Sequence, residues 1–460
     1  METSASSSYG WALHELGFAD FKDERLTKRA VHIAASLLQN PQQSIPSAME
    51  QWAHTKATYR FFANDKIQST NMFFAHQEQT MNRCQKEKTI LVAQDTTTMN
   101  LSNKKISGLG RIGMGDLQGF FTHSALAMTT KGLPLGLLYQ KTYVRKTGTQ
   151  TTAYKKRYKQ LPITEKETGK WVEVVETIAH QLQDKRVIVI GDRESDIFDV
   201  FKTAQEQKIG MLVRTSKDRL IRTDTGEEKH LFATARTGRH LGSYETQVPT
   251  THDAHQKRHA SLALRVTECL LPVATYRRGE KQPPLSVTIL DVSEEHRPEG
   301  EEPIHWVLTT TLPITTVQEA IEKVQWYMYR WRIERFHYVL KTGAFNVEKL
   351  QFESFARFKK AITMFSIVAW KILCFLYQSR ENPDDPAETV FSPEEIQALS
   401  LIAKKQIQTI HEAVIQTAKL GGYLARKHDG PAGIKTLWSG FQKLTNIVYG
   451  MMMVKEAKIV

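Results

Sequence analysis

The stretch YMYRWRIERFHYVLKTG, Tyr327 to Gly343, decides the fold because it places one carboxylate, Glu334, among basic and aromatic residues. Upstream, Thr316 is followed three residues later by Glu319, which is the pattern of a capping box. Downstream, Gly343 is typical of the position that follows a helix end. The stretch therefore predicts a helix from about residue 317 to about residue 341.

A helical wheel divides this stretch into two faces. At about 100° per residue, one arc of about 80° holds these side chains: Tyr327, Arg330, Glu334, His337 and Lys341. Most apolar residues of the stretch, Trp331 included, fall on the remaining arc, which is wide enough to contact a core. The face with Glu334 is either a site or an ordinary solvated surface, and the rest of the chain decides between the two.

Composition is that of a globular protein with an excess of positive charge. Of the 460 residues, 62 are Lys or Arg and 49 are Asp or Glu, which gives a formal net charge of +13. Hydrophobic residues make up 41% of the chain, which is enough to bury a large core. A basic chain of this kind suits a polyanionic partner, and nucleic acid is the first class to consider.

Cysteine usage and the start of the chain favour a soluble cytoplasmic protein. Cys84, Cys269 and Cys374 are odd in number and far apart, which argues against disulfides and against a metal motif. The first residues, METSASSSYG, lack the charged and apolar regions of a signal peptide. The most apolar run, 361–370, is too short to span a bilayer. We therefore expect a cytoplasmic protein without a membrane partner.

Residues 1–70 have the pattern of short helices interrupted by NPQQSIP, and they predict a small helical domain. Basic and aromatic positions on these helices are candidates for contact with a DNA backbone or major groove: Arg25, Arg29, Tyr59 and Arg60. A solvated surface explains these positions equally well from sequence alone.

Strands and helices alternate after residue 70. TILVAQDTTTMN predicts a strand that carries Asp95, and GFFTHSALAMTTKGLPLGLLYQKTYV predicts two strands joined by a turn. RVIVIG predicts a buried strand that ends just before Asp192, with a helix on either side of it in sequence. IGMLVRTS predicts a fifth strand. This order, with an acid on the first strand and another after the fourth, is that of a ribonuclease-H-like fold.

A β-rich unit interrupts the order between about residue 217 and about residue 310. Runs such as SLALRVTECLL and PLSVTILDV are separated there by charged and Gly- or Pro-containing turns, which favours antiparallel strands. The sequence thus predicts an α/β protein with a ribonuclease-H-like core over 71–375, an inserted antiparallel β unit, and helical regions at 1–70 and 376–460.

Asp95, Asp192 and Glu334 are the acids that such a core would bring together. Two divalent ions about 3.5–4 Å apart hold an attacking and a leaving oxygen in line at a phosphorus atom. Carboxylate oxygens are ligands that Mg²⁺, or Mn²⁺ in its place, prefers. We therefore predict that the three acids are catalytic metal ligands. Their basic and aromatic neighbours on the helix face are candidates for holding DNA phosphates: Tyr327, Arg330 and Lys341.

Three further acids come shortly after Asp192 and compete with it as metal ligands: Glu194, Asp196 and Asp199. Asp192 is preferred because it alone lies at the carboxyl end of the buried strand. Sites of α/β sheets form at that edge.

Four motifs resemble those of the DDE transposases of the insertion-sequence-four family. They are AQDTTT around Asp95, EKETGKW at 165–171, GDRESDIFDV around Asp192, and the stretch Tyr327 to Gly343. The last of these matches the family's tyrosine–arginine–glutamate–lysine signature with its spacing intact: Tyr327, Arg330, Glu334 and Lys341. The similarity extends over nearly the whole chain.

The resemblance implies a Mg²⁺-dependent homodimer that pairs two transposon ends, with a DNA-binding domain at 1–70 and a dimerisation domain at 376–460. It also implies cut-and-paste chemistry, in which an end is nicked, a hairpin forms and is opened, and the 3′ end joins target DNA. By similarity of IHWVLTT, Trp306 is the aromatic on which a flipped base would stack. A core tryptophan is the alternative for Trp306, and Arg214 is a further candidate DNA contact.

Two other functions stay open at this stage. One is a structure-selective DNA nuclease on the same ribonuclease-H-like core, against which the C-terminal helical region and Trp306 count. The other is a DNA-binding regulator of transposition that does not cut, against which the presence of all three acids counts.

Overall fold

The computed structural model describes residues 8–113, 115–145, 158, 161–223, 225–248, 258–273, 283–296, 302–426 and 429–457. Within these ranges the α-helices are α1 Ser8–Leu16, α2 Glu24–Gln39, α3 Ile45–Ala48, α4 Trp52–Ala63, α5 Ser69–Cys84, α6 Gly169–Gln181, α7 Phe198–Glu206, α8 Leu231–Arg236, α9 Val317–Met328, α10 Trp331–Tyr338, α11 Phe355–Glu381, α12 Pro393–Ala403, α13 Ile410–Leu420 and α14 Ile434–Ala457.

The strands belong to one large sheet. They are β1 Thr89–Asn100, β2 Gly110–Arg111, β3 Gln118–Met128, β4 Pro134–Tyr143, β5 Arg186–Gly191, β6 Gly210–Arg214, β7 Leu220–Arg222, β8 Glu228–His230, β9 Arg239–Val248, β10 Arg258–Leu271, β11 Leu285–Glu294 and β12 His305–Thr310.

The half of the sheet that contains β1 has the strand order β4-β3-β1-β5-β6. β3 runs antiparallel to β1, whereas β1, β5 and β6 are parallel to one another. The predicted α/β class with a ribonuclease-H-like core is confirmed. Parallel strands with helices on both faces are buried on both sides, which is why β1 and β5 have apolar runs rather than alternating ones.

The inserted β strands extend this sheet. β12 pairs with β6, where Leu308 lies opposite Arg214, and β11, β10, β7 and β8 lie successively further out. β10 pairs antiparallel with β9 and with β11, and β11 pairs antiparallel with β12, in agreement with the sequence-based prediction. The insertion is therefore attached to the core by backbone hydrogen bonds at the β6 edge.

Two apolar clusters cover the two faces of the sheet. Leu91 and Ala93 of β1 face the cluster that includes α11, whereas Ile90 and Val92 face the cluster that includes α6 and α7. Successive side chains of a strand point to opposite faces, so β1 anchors both clusters. Asp95 lies beyond this apolar run on the same strand, and its position is thereby fixed from both sides.

Helix α11 is the central helix of the larger cluster. By length and composition it could cross a membrane, but 78% of its most apolar window is buried inside the molecule. Its neighbours include α2, α4, α5 and β4. The predicted buried helix is confirmed, and packing within the protein explains its apolar sequence.

A buried ionic cluster joins the N-terminal helices to this core. Glu15 accepts from His76 Nδ1 at 2.5 Å and from Arg83 Nη1 at 2.9 Å, and the Arg83 guanidinium lies 4.2 Å from the Trp370 ring centroid. Burial raises the pKa of Glu15, but the hydrogen bonds and charges of His76 and Arg83 outweigh burial and lower this pKa to about 2. α1, α5 and α11 are thus tied together by one charged carboxylate.

The helix predicted over about 317 to 341 is interrupted in the structure. The predicted capping box of Thr316 and Glu319 is present, but the chain tightens after Met328: Arg330 N donates to Tyr327 O at 3.0 Å. This turn rotates α10 relative to α9, and Trp331 is 58% exposed. The prediction that Trp331 contacts the core is therefore wrong.

Arg332 occupies the inward position instead of Trp331. Its guanidinium lies between the rings of Tyr329 and Tyr377, 4.5 and 4.0 Å from their centroids, and donates to Glu381 at 3.0 Å. A charged group can be buried when its donors are paired in this way. The wheel places Arg332 on or beside the apolar side, in agreement with its burial, but it gives no sign that Trp331 turns outward.

The stretch ends at Gly343, as expected, but in a π-helical turn, Val339–Gly343. A Cβ at Gly343 would lie 2.6 Å from Cε1 of Tyr338. Close packing against that ring therefore requires the glycine at this position.

Candidate active site

Asp95 and Asp192 lie side by side at the edge where two parallel strands end. Ala93 of β1 is paired with Ile190 of β5, and each aspartate comes two residues after its paired position. Neighbouring strands are about 4.8 Å apart. The strand register thus brings together two acids that are 97 positions apart in sequence (192 − 95 = 97).

Local packing fixes Asp192 beyond the end of β5. Its Oδ1 accepts from Glu194 N at 2.8 Å, and Ser195 Oγ donates to Asp192 O at 2.7 Å. A Cβ at Gly191 would lie 2.0 Å from Ser195 Oγ, so only glycine admits this turn. The motif GDRES therefore encodes the turn that presents the Asp192 carboxylate.

Asp95 is held by His337 of α10. His337 Nδ1 lies 3.5 Å from Asp95 Oδ2, and Thr96 N donates to Asp95 Oδ1 at 2.7 Å. Burial raises the pKa of Asp95, but His337, the Thr96 hydrogen bond and the charge of Arg330 together bring this pKa below its ordinary value. Asp95 is thus held as a carboxylate.

Asp192 has the opposite electrostatic setting. Burial raises its pKa, the hydrogen bond from Glu194 N lowers it, and the negative charge of Asp95 raises it again, with a net result above the ordinary value. Burial and the charge of Asp192 also raise the pKa of Glu194. Mutual repulsion between neighbouring carboxylates contributes to both shifts, and the shifts show that the charges of these acids converge.

Glu334 lies on the same helix as His337 but faces Arg330 in this structure. Its Oε1 accepts from Arg330 Nη1 at 2.7 Å, and 38% of its side chain is exposed. The charge of Arg330 also acts on Asp95 and on Asp192. Arg330 is therefore the cation common to the three predicted acids.

Across the part of the chain that the structure describes, no group of three or more His, Cys, Asp or Glu side chains is arranged to hold a metal ion. Asp95 and Asp192 nevertheless offer hard oxygen ligands whose repulsion a divalent cation would relieve. Residues three apart on a helix lie on one face, so Glu334 is next to His337, which contacts Asp95. The donor set fits a divalent cation once Glu334 leaves Arg330.

Aromatic and basic side chains border the acids on the β12 side. Trp306 packs edge to face on Tyr327 with ring centroids 5.6 Å apart, and it is partly exposed. Arg214 Nη2 lies 3.3 Å from His305 O. Burial raises the pKa of Tyr327, while the charges of Arg330 and Arg214 lower it, which places both guanidinium groups near the phenol.

Lys341 lies on the opposite side, beside the distal end of β1. Its Nζ donates to Thr98 O at 2.8 Å and is 3.3 Å from Glu348 Oε1. Of the signature residues, Lys341 thus lies at Thr98 of β1, whereas Tyr327 lies on the β12 side.

The N-terminal candidates occupy helices α2 and α4. Arg25 is exposed and paired with Asp23 at 3.0 Å, and Arg60 is exposed in the last turn of α4. Arg29 is partly buried on α2. Tyr59 packs on Phe352 with centroids 5.8 Å apart, so part of its ring serves the core.

Sequence reasoning gave no role to two side chains that border the acids. His337 was placed on the right face, but its contact with Asp95 depends on how α10 packs against β1. Lys170, from the EKETGKW motif, donates to Tyr143 Oη at 3.1 Å, and its charge acts on Glu194 and Asp95. The motif was the only signal that could have pointed to Lys170.

Comparison with known proteins matches three parts of the chain. Residues 8–67 match the family model Transposase DNA-binding, residues 152–370 match Transposase DDE domain, and residues 367–458 match Transposase Tn5 dimerisation domain. Asp192 and Glu334 lie within the DDE range. Asp95 lies outside all three ranges, and its place beside Asp192 is a consequence of the strand register.

Among solved structures, the chain is similar to piggyBac transposase, as seen in a cryo-EM structure of its synaptic complex with hairpin DNA. The two chains are 9% identical, with 94% of this chain and 73% of that chain covered and a TM-score of 0.37.

Proposed function

We infer that this chain, which belongs to the DDE transposases and matches the Tn5 dimerisation domain, moves a DNA element by a cut-and-paste route. The family makes it a DDE-type nuclease and transposase that acts in DNA transposition. The observation that carries the proposal is the position of Asp95 and Asp192 at adjacent strand ends, with Glu334 paired to Arg330, whose charge also acts on both aspartates.

We propose that Asp95, Asp192 and Glu334 hold the divalent metal ions that DDE domains generally use, with Mg²⁺ as the physiological ion. Such ions stabilise charge on the attacking and leaving oxygens at phosphorus. His337 keeps the Asp95 carboxylate oriented by its contact at 3.5 Å. Glu334 turns toward the aspartates when a DNA phosphate takes its place on Arg330.

We propose that the basic neighbours align the DNA strand at the acids. Arg330 has a planar guanidinium that suits bidentate contact with a phosphate. Lys341 adds a positive charge at Thr98, which is three residues, or roughly 10 Å, from Asp95 along β1. Tyr327 lies between Arg330 and Arg214 and can donate its hydroxyl proton to a phosphate oxygen. Together these groups would fix the scissile phosphate relative to the acids.

Hairpin formation is the proposed second step, and Trp306 is the proposed stacking surface for a flipped base. Its partial exposure and its edge-to-face contact with Tyr327 support this role, because one ring face can be offered to a base while the other side is braced. Opening of the hairpin and joining of the 3′ end to target DNA would use the same acids.

We propose that the active unit is a homodimer on two transposon ends, with residues 1–70 binding DNA and residues 376–460 forming the dimer contact. Exposed apolar side chains one helical turn apart on α14 support a protein partner there: Tyr449, Met453 and Val454 are 65%, 54% and 57% exposed. Arg25, Arg29, Tyr59 and Arg60 are the proposed DNA contacts of the N-terminal helices. We place the protein in the prokaryotic cytoplasm, on DNA.

A nicking and joining assay tests the proposal directly. Purified protein is mixed with labelled terminal-repeat DNA, Mg²⁺ and a target plasmid, and nicks, hairpins and joined products are resolved on gels. Nicks, hairpins and joined products support transposition. Nicks without joining support a structure-selective nuclease. Binding without nicks supports a regulator that does not cut, and the pairing of Glu334 with Arg330 is the observation that favours this alternative.

A further inference from the structure

An open cavity of about 480 Å³ lies beyond Lys341, at the end of β1 distal to the acids. Polar, charged and apolar side chains form its walls: Asn100, Leu101, Ser102, Asn103, Lys104, Leu117, Glu348 and Lys349. This volume lies in the range of small-ligand pockets, about 300–1,000 Å³. Two lysines against one carboxylate favour a negatively charged occupant, and Leu101 and Leu117 add an apolar surface.

Three hydrogen bonds preform the cavity. Lys104 Nζ donates to Glu348 O at 2.6 Å and to Leu350 O at 2.7 Å, and Asn100 N donates to Glu348 Oε1 at 2.9 Å. These bonds fasten the loop after β1 to the turn Val347–Lys349. Both walls are thus held in place by the protein itself.

Glu348 connects the cavity to the signature lysine. The same Oε1 that accepts from Asn100 N lies 3.3 Å from Lys341 Nζ. A carboxylate oxygen and a phosphate oxygen are equivalent partners for an ammonium group. Glu348 therefore occupies the position on Lys341 that a DNA phosphate would take.

We propose that this cavity is a DNA-strand subsite and that Glu348 is a positioning residue that a phosphate displaces from Lys341. The proposal rests on the proposed function, because it requires a DNA strand at Asp95. Asn100 is five residues from Asp95 on β1, a span of about 17 Å at about 3.3 Å per residue. A duplex whose axis runs along β1 rises about 3.4 Å per nucleotide, so it would place in the cavity a nucleotide about five positions from the scissile phosphate.

Lys349 is exposed at the cavity wall and adds positive charge, whereas Glu348 is the carboxylate of this lining. Removing the Glu348 charge should therefore strengthen DNA binding, and removing the Lys349 charge should weaken it. Single charges at partly or fully exposed positions contribute little, so a change of about two- to fivefold in affinity is expected for each.

Binding of a labelled terminal-repeat duplex is measured for wild type, Glu348→Gln, Lys349→Gln and Glu206→Gln, with melting temperatures as the folding check. Glu206→Gln is the matched control, since it removes the same charge from an exposed pair with Lys202 on α7, on the other face of the sheet. Tighter binding by Glu348→Gln, weaker binding by Lys349→Gln and unchanged binding by the control support the subsite. Equal affinity of all four proteins overturns it.

Crosslinking supplies an independent readout. An Asn103→Cys variant is mixed with duplexes that carry one mixed disulfide each, so that the cysteine can exchange with it and release the small thiol. The disulfide is placed at single nucleotides from about three to about seven positions from the scissile bond, a range centred on the expected five. Wild type is the background control, because Cys84 and Cys269 are buried and Cys374 is partly buried. A crosslink that peaks about five positions away supports the subsite, and a yield no higher than wild type at every position overturns it.

The two proposals fail separately. A chain that nicks and joins DNA but gives neither the crosslink nor the affinity changes contradicts the subsite alone. A chain that crosslinks at the cavity but never nicks contradicts the proposed transposition chemistry and leaves the subsite supported.

Discussion

Arg330 and Glu334 form an ion pair within one helical turn, with Arg330 Nη1 2.7 Å from Glu334 Oε1. The same guanidinium acts electrostatically on Asp95 and Asp192. A phosphate bound to Arg330 would compete with Glu334 for it, so we propose that DNA binding releases Glu334. Assembly of the three acids would then depend on DNA.

We expect Glu334→Ala to abolish nicking while leaving DNA-end binding within about twofold, because the acid would contact metal rather than bases. Gel-shift titration and a nicking assay on the same DNA measure the two effects. Glu206→Ala is the control for loss of a carboxylate outside the site and should nick like wild type. Normal nicking by Glu334→Ala would remove Glu334 from the catalytic set.

The strand order could be read from sequence because buried parallel strands leave apolar runs, as in RVIVIG, and turns leave Gly and polar residues. The adjacency of Asp95 and Asp192 is then a consequence of topology, since parallel strands end at one edge. Their roles, and those of the signature residues, stay predictions.

Packing around the signature helix could not be predicted from sequence. The turn after Met328 and the burial of Arg332 depend on Tyr377 and Glu381 of α11, which are far away in sequence. A wheel with a fixed rotation per residue therefore placed Trp331 inward. The pairing of Glu348 with Lys341 likewise depends on how the turn after Gly343 folds back on β1.

Trp306→Ala should reduce hairpin formation more than first-strand nicking, since stacking would hold the flipped base only in the second step. We expect Trp306→Phe, which keeps an aromatic face, to recover most of the hairpin product. Timed gels that resolve nick and hairpin measure both steps. Equal loss of the two steps in Trp306→Ala would discard the stacking role.

Binding to DNA should weaken steeply as salt rises, because phosphate contacts release bound counterions. With about six or more phosphates contacted, affinity should fall by about 10³-fold or more between about 50 and 200 mM salt. Fluorescence anisotropy at a series of salt concentrations measures this slope. A flat dependence would contradict a binding surface made of Arg and Lys.

Acid should destabilise the fold through the Glu15 cluster. The pKa of Glu15 is about 2 in the fold against 4.5 as the ordinary value, so its contribution is present above pH 4.5 and is lost as pH falls toward 2. Burial also lowers the pKa of His76, despite the hydrogen bond with Glu15, so stability starts to fall below the ordinary histidine value of 6.5. Glu15 and His76 both bind protons on unfolding in acid, so each lowers the free energy of unfolding as pH falls.

Thermal melts from about pH 7 down to about pH 2 test this expectation, because the Glu15 contribution is lost between pH 4.5 and about 2. Glu15→Gln should lower the free energy of unfolding near pH 7 by about 3 kcal/mol, because Arg83 and His76 lose their buried partner. It should also remove the decline that the wild type shows between pH 4.5 and about 2. Glu24→Gln, at an exposed pair with Lys28, should match the wild-type profile. A Glu15→Gln profile parallel to wild type would contradict the role of the cluster.

Anomalous diffraction from the chain bound to terminal-repeat DNA and Mn²⁺ tests the central claim most directly. We predict two manganese peaks about 3.5–4 Å apart, with oxygens of Asp95, Asp192 and Glu334 as ligands and Arg330 on a phosphate. Manganese bound without Glu334, with Glu334 still paired to Arg330 beside the bound DNA, would contradict the assignment of Glu334 as the third metal ligand.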